Sequence, residues 1–172
     1  MRGKAEVITV NTAYQCATWA DHVYSYDLPW WNYHMPIVRR HCAGKLWTGG
    51  LTAKQCFPEL NLIETLRGGA ALSWKYLING QNSGMQALTL ACVLGAKRIY
   101  MLGFDAQHTD GERHFHGLHP DGWANSDQVL LWHNHFDRIA PQMKEAGIQV
   151  VNCSRVTALK CFDRATIQDA LP

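Results

Sequence analysis

The chain has 172 residues, of which 47% are hydrophobic and 17% are charged, and its formal net charge is +2. This composition is typical of a globular protein and excludes an intrinsically disordered one, since the apolar content suffices for a buried core. A small charge gives no strong signal for nucleic acid, because groove-binding proteins usually carry a markedly basic stripe. The length predicts one domain over residues 1–172.

The six cysteines are scattered along the chain, and none forms a Cys-x-x-Cys pair. No apolar run approaches the roughly 18 residues of a membrane span, and no apolar signal-peptide core follows Met1. We therefore expect a cytoplasmic protein with reduced thiols and no membrane partner. Cysteines inside apolar runs, such as Cys92, are expected to be buried rather than reactive.

The first predicted elements are strands that end at polar side chains. A β-branched run over 7–10 predicts a strand ending at Asn11, and a second strand is predicted over 22–26, ending at Asp27. The aromatic segment 29–34 that follows can form a helix. Weaker strand candidates, expected near a sheet edge, are residues 45–48 and 60–63.

The strongest pattern lies between residues 79 and 105. Asn82 or Ser83 can cap a helix whose apolar residues point nearly all the way round, as in a helix buried on several sides. Gly95 ends that helix in the left-handed conformation. The apolar run over 98–102 then predicts a strand buried on both faces, which ends at Gly103-Phe104-Asp105.

Residues 103–125 form a long polar loop, and loops of this length in compact domains are usually functional or disordered. A second helix is predicted from Asn125 or Ser126 to about Glu145, with Gly147 as its stop. A final strand is predicted over 148–152.

This alternation of strands and helices predicts an α/β protein, specifically a Rossmann-like three-layer fold with a mainly parallel sheet. Ligands of such sheets bind outside the carboxyl ends of the strands. The residues expected at those ends are Asn11, Asp27, Asp105 and Asn152.

Histidines are concentrated in the loop after Asp105 and at the start of the next helix. The loop contains His108, Asp110, Glu112, His114, His116 and His119, and the helix contains His133 and His135. A loop histidine can act as a general base, contact a phosphate, or bind a metal together with Asp105. The spacing matches none of the strong metal signatures, so we assign no metal ligands, and a solvated loop is the alternative. The two helix histidines are expected to pack or cap.

Other residues have both a binding and a structural interpretation. The turn Asn82-Ser83-Gly84 can receive an anion at a helix N-terminus or serve as an ordinary cap. Asp105 can hold a ribose, a metal or a histidine, or cap its loop. The aromatic residues Trp30, Trp31 and Tyr33 can stack on a ligand, although core packing is commoner. Arg67-Gly68-Gly69 is weak evidence for a phosphate loop.

These residues resemble a segment shared by two related groups of proteins. One group is the small bacterial sialyltransferases that use a CMP-activated sugar. The other comprises proteins similar to archaeal hydroxymethylpterin pyrophosphokinase, with short versions in bacteriophages and prophages. The matching residues are Asn82-Ser83-Gly84, Ala87, Leu94-Gly95-Ala96, Ile99-Tyr100 and Leu102-Gly103-Phe104-Asp105. The phage-type proteins are also similar at Val10-Asn11, Trp19-Ala20-Asp21, Asp27, His114 to Pro120 and Val151-Asn152-Cys153-Ser154.

The resemblance implies a Rossmann-like fold with a nucleotide pocket. The nucleotide contacts that the resemblance implies are Asn11, Ser83 and Gly84. Asp27, Asn82 and Gly103, at the neighbouring strand ends and turn, are further candidates for nucleotide binding. The implied catalytic residues are Asp105 beside the pocket and one of His114, His116 or His119 as general base. The implied ligand is a nucleotide or nucleotide-sugar, most simply of the CMP type, with a divalent metal as an option.

One departure from the relatives concerns the N-terminal region. The relatives usually have a further strand and a Gly-Pro-Ser-type turn before the position equivalent to Val7, and this sequence starts too late to contain them. Either translation starts here or an upstream part of the protein is not included in this sequence. Without that strand, the edge next to Val7 would favour pairing with another chain, so a homo-oligomer is one expectation. A phage-encoded chain would act in the host cytoplasm.

Three functions stay open on the sequence alone. The leading hypothesis is a transferase that uses a nucleotide-activated donor, with a sugar hydroxyl as acceptor. The second is metal-dependent pyrophosphoryl transfer or nucleotide hydrolysis at Asp105 and the loop residues. The third is a non-catalytic phage protein that binds a nucleotide or a host partner.

Overall fold

The computed structural model describes residues 2–67, 70–108 and 129–171. The strands are β1 (Ile8–Val10), β2 (His22–Tyr24), β3 (Lys45–Thr48), β4 (Asn61–Leu62), β5 (Thr65–Leu66), β6 (Leu77–Ile78), β7 (Arg98–Met101), β8 (Gln149–Asn152) and β9 (Asp163–Arg164). The helices are α1 (Leu28–His41), α2 (Leu51–Cys56), α3 (Ser83–Val93), α4 (Val129–Glu145) and α5 (Ile167–Ala170), and a 3₁₀ helix spans Asn11–Cys16.

Every strand pair of the described residues is parallel. The strands form three hydrogen-bonded sets, β1-β2-β3-β4, β5-β6 and β7-β8-β9. The prediction of an α/β protein with mainly parallel sheets is thus confirmed. Because the described strands make three sets instead of one continuous sheet, the finer Rossmann-like three-layer arrangement stays a prediction.

The predicted strand over 22–26 is shorter in the structure, since β2 ends at Tyr24. The possible helix over 29–34 is part of the longer α1. Pro29 stands in the first turn of α1, where a missing N–H costs nothing. The buried face of this helix consists of Trp30, Trp31, His34, Met35 and Val38, at the spacing of one helical stripe.

Helix α3 lies between two parts of the core, as its all-round apolar pattern predicts. Met85 and Leu88 pack in a cluster with Phe136 of α4. Ala87 and Leu90 pack in a different cluster with Tyr24 of β2. Since α3 also contacts β1 and β6, it fixes the turn at its own N-terminus against strands of different sheets.

The C-terminal half follows the helix-to-strand order predicted for it. Gly95, with φ of 92°, and Gly147, with φ of 72°, end the helices that precede β7 and β8. Both adopt the left-handed conformation that glycine enters without a steric penalty. None of the helices within the described ranges combines the length and the apolar content needed to cross a membrane.

Candidate functional site

Unusual backbone conformations occur just after the carboxyl ends of three strands. Asn11 follows β1 with φ of 49°, Gln81 follows β6 with φ of 57°, and Ala106 follows β7 with φ of 49°. A positive φ at a non-glycine residue costs about 1–3 kcal/mol and tends to be kept at functional sites. The carboxyl ends of the strands are therefore the candidate site, where the sequence also placed it.

Asn11 carries a second unfavourable feature. Its Oδ1 is shielded from solvent and has no hydrogen-bond partner among the residues described. A buried acceptor without a partner costs about 1–3 kcal/mol, and native proteins contain few of them. Asn11 is thus both conformationally strained and unsatisfied, which is expected of a side chain that contacts a ligand.

The neighbouring strand β2 ends in a similar way. Ser25 is fully buried at 0% exposure, and its Oγ has no partner in the described part of the chain. The Ser25 carbonyl, by contrast, accepts the indole N–H of Trp31 at 3.0 Å. Two residues later, Asp27 is exposed at the N-cap position of α1. Since β1 and β2 are paired and parallel, Asn11, Ser25 and Asp27 follow strands that end at one edge.

The turn before α3 is held by its own side chains. Asn82 caps the helix, because its Oδ1 accepts the Met85 backbone N–H at 2.7 Å while its Nδ2 donates to the Gly80 carbonyl at 2.9 Å. Ser83, the first helical residue, is half-buried. The sequence left two roles open for Asn82, anion binding and helix capping, and the structure confirms capping. A cap of this kind leaves other N–H groups of the first helical turn available to an anion.

Close packing favours glycine at position 84, in addition to the predicted contact with a nucleotide. A Cβ at this position would lie 3.1 Å from the Phe104 ring and 3.1 Å from Asn82 Oδ1. The absence of a side chain therefore lets the loop after β7 approach the N-terminus of α3. Through this contact the structure brings together Asn82, Gly84 and the segment Gly103-Phe104-Asp105.

The loop after β7 is fixed by strand β8 and the residues that follow it. The Phe104 N–H donates to Ser154 Oγ at 2.7 Å, and the Phe104 carbonyl accepts from Thr157 Oγ1 at 2.7 Å. Asn152 Nδ2 donates to the same carbonyl at 3.3 Å and to Thr157 Oγ1 at 3.1 Å. Asn152, a strand-end candidate of the sequence, is 0% exposed and holds this loop in place.

Gly103 has φ of 73°, so glycine is required at the start of this loop. Asp105 is half-buried, and its carbonyl accepts the Ala158 N–H at 2.8 Å. His133 of α4 donates from Nε2 to the Ala106 carbonyl at 2.7 Å, since a carbonyl oxygen can only accept. The predicted base candidates His114, His116 and His119 lie outside the described residues, as do Asp110 and Glu112.

Sequence reasoning missed a hydrogen-bonded chain beneath the turn. The Tyr24 hydroxyl donates to Gln86 Oε1 at 2.7 Å, and Gln86 Nε2 donates to Asn79 Oδ1 at 3.2 Å. Burial raises the pKa of Tyr24 well above its ordinary value, so the phenol keeps its proton. The available signal was a glutamine inside a mostly apolar helix.

The aromatic residues of α1 serve the core. Trp30 and Trp31 are 3% and 0% exposed, and Trp30 stacks on His34 with ring centroids 4.6 Å apart. Neither indole presents a face to a ligand. Tyr33, at 58% exposure, lies on the outer side of the helix.

Buried cysteines also behave as the sequence predicts. Burial raises the pKa of the Cys92 thiol to about 11, so its reactive thiolate form is disfavoured. Within the described ranges, no three side chains of histidine, cysteine, aspartate or glutamate are grouped to hold a metal ion. An open groove of about 540 Å³ beside Met143, Cys161 and Phe162 lies at the amino end of β8, where Gln149 lines it.

No family model, curated protein or solved structure matches this chain. The resemblance to sialyltransferases and to the pyrophosphokinase-like proteins therefore stays a prediction from the residues quoted for it.

Proposed function

We propose that the chain is a nucleotide-dependent transferase of the glycosyltransferase type, working at the carboxyl ends of β1, β2 and β7 in a Rossmann-like fold. The observation that carries the proposal is Asn11. Its left-handed backbone, and its buried Oδ1 without a partner among the described residues, are costs that a bound ligand with a hydrogen-bond donor would offset. A nucleotide offers such donors in its ribose hydroxyls and in the exocyclic amine of cytosine.

The N-terminus of α3 is the proposed place for the nucleotide phosphate. The first backbone N–H groups of a helix point outward, and the helix dipole favours negative charge there. Asn82 caps the helix through the Met85 N–H. The Ser83 and Gly84 N–H groups are the ones that would bind the proposed phosphate. Gly103 and Asp27, the other predicted contacts, follow β7 and β2 and complete the proposed pocket.

The proposed reaction transfers a sugar from the nucleotide to an acceptor hydroxyl. The acceptor oxygen bonds to the anomeric carbon, the bond from that carbon to the phosphate oxygen breaks, and the nucleotide leaves with the bonding electrons. A loop histidine, one of His114, His116 or His119, takes the hydroxyl proton as general base. Asp105 would orient that base or the acceptor, and the N-terminus of α3 would stabilise the departing phosphate.

A thermal-shift panel tests the proposal, using CMP, CDP, UDP, GDP, ADP, NAD and their sugar conjugates with and without Mg²⁺ or Mn²⁺. A ligand at 100 times its dissociation constant adds about 2.7 kcal/mol to the free energy of unfolding, which raises the melting temperature by several degrees. The expected result is a metal-independent shift with one nucleotide. Asn11→Ala should abolish that shift, whereas the matched control Asn61→Ala, which removes an exposed asparagine of β4, should keep it.

Two other outcomes would redirect the assignment. A shift that needs the metal would favour pyrophosphoryl transfer or nucleotide hydrolysis. No shift with any ligand would contradict the transferase and favour the non-catalytic binding protein.

A further inference from the structure

The hydrogen-bonded chain beneath α3 connects the core to the turn that precedes the helix. It starts at Tyr24, which is 0% exposed, and continues through Gln86, which is 3% exposed, to Asn79. Asn79 Oδ1, the last acceptor, also receives the Gln81 backbone N–H at 3.1 Å. These bonds connect a tyrosine in β2 to the turn, whose backbone is also bonded at Asn79 to the Leu66 carbonyl.

The turn needs such support because Gln81 has φ of 57°. A residue in this conformation persists only where its surroundings over-determine it. The bond from the Gln81 N–H to Asn79 supplies one constraint, and the Asn82 side chain, bonded to the Gly80 carbonyl and the Met85 N–H, supplies two more. Gln86, through its bond to Asn79 Oδ1, therefore orients the Asn79 side chain that accepts the Gln81 N–H.

Buried polar pairs are not needed for stability alone. An apolar pair of similar shape is often equally stable in a core. A buried Tyr–Gln pair, with Tyr24 in an apolar cluster, therefore points to a role in placing another group. Here the group placed is the backbone of residues 79–84, where the proposed phosphate would bind.

We infer that Tyr24 and Gln86 are positioning residues, which hold the turn over 79–84 in the geometry that receives the ligand. The inference rests on the proposed function for the identity of the ligand, but the placement of the turn can be measured without any ligand. Neither residue touches the ligand, and both act through Asn79.

The test compares Tyr24→Phe, Gln86→Met and the double variant. Tyr24→Phe leaves Gln86 Oε1 buried without its donor and should lower stability. The double variant removes the Gln86 amide as well and should recover the part of the loss due to Gln86, while the bond between the Tyr24 hydroxyl and the Gly49 backbone stays lost. If the inference is right, the affinity for CMP does not recover with stability in the double variant, because Asn79 has still lost its Gln86 donor. CMP affinity, measured by calorimetry, should stay down about tenfold, the equivalent of one hydrogen bond.

Tyr14→Phe is the matched control. Tyr14 is likewise buried, at 1% exposure, and its hydroxyl bonds His34 Nδ1 at 3.0 Å, away from the turn. The control should lose stability without a tenfold loss of CMP affinity. If affinity instead follows stability through all four variants, the two residues are merely structural and the inference is wrong.

A second readout separates this inference from the proposed function. Amide hydrogen exchange, followed by NMR without ligand, should become faster at Gln81 and Met85 in the Tyr24 and Gln86 variants, while the Leu94 N–H at the other end of α3 should stay protected. If CMP fails to bind the wild-type protein, the proposed ligand is wrong and exchange alone decides. Unchanged exchange at Gln81 would overturn the inference whatever CMP does.

Discussion

Replacing Asn11 by glycine should stabilise the protein while removing the proposed ligand contact. The substitution removes a buried oxygen that has no partner in the described part of the chain, a gain of about 1–3 kcal/mol. It also relieves the left-handed conformation, a gain of about 1 kcal/mol. Against this, glycine loses more backbone entropy on folding, about 1 kcal/mol, and one buried methylene is lost, about 0.8 kcal/mol. The net change is a stabilisation of about 1 kcal/mol.

Urea denaturation and thermal melting measure this change. For a chain of this length, 1 kcal/mol should raise the melting temperature by about 2–4 °C. Asn11→Ala is the comparison, because alanine also removes the unsatisfied oxygen but keeps the strained φ. We expect Asn11→Ala to melt below Asn11→Gly. A glycine variant that melts below the wild-type protein would refute the reasoning, because Asn11 would then be a structural residue.

The other predictions concern His22 and Ser154. Burial lowers the pKa of His22, and its Nδ1 must stay unprotonated to accept the Trp47 indole N–H at 2.9 Å. The stability that neutral His22 contributes is therefore fully present above the unfolded pKa of about 6.5. That stability is lost as the pH falls through the lower pKa of the folded protein. The free energy of unfolding should therefore fall more steeply between pH 7 and 5 in the wild-type protein than in His22→Gln, and equal slopes would contradict this. Ser154→Ala should lower the free energy of unfolding by about 1–3 kcal/mol, since the Phe104 N–H loses its acceptor. Urea denaturation checks this, and an unchanged midpoint would show that water replaces the hydroxyl.

Elements with local signals could be predicted from the sequence. The strand ending at Asn11, the cap at Asn82 and the stop at Gly95 are set by residues within a few positions of one another, and the structure contains all three. Strand β8 likewise follows its glycine stop as predicted. Such signals depend on backbone conformation and side-chain reach, which neighbouring residues determine.

Contacts between distant parts of the chain could not be predicted. The Tyr24–Gln86 bond joins residues 62 positions apart, and no periodicity reports it. Helix α1 extends to His41 through Pro36 because its buried face packs in the core, which a proline inside the pattern conceals. The strained φ of Gln81 is another case, since its support comes from side chains across the turn.

The strand ends differ in how their polar groups are satisfied, and this difference indicates that some ends are structural and others are available to a ligand. After β7 and β8, Asn152 and Ser154 bond the protein's own backbone at Phe104, so this part serves as scaffold. After β1 and β2, Asn11 Oδ1 and Ser25 Oγ are buried without partners among the described residues. Groups that the protein leaves unsatisfied are the ones a ligand can satisfy. We therefore expect recognition to depend on the β1–β2 end, while the β7–β8 end determines where the histidine-rich segment begins.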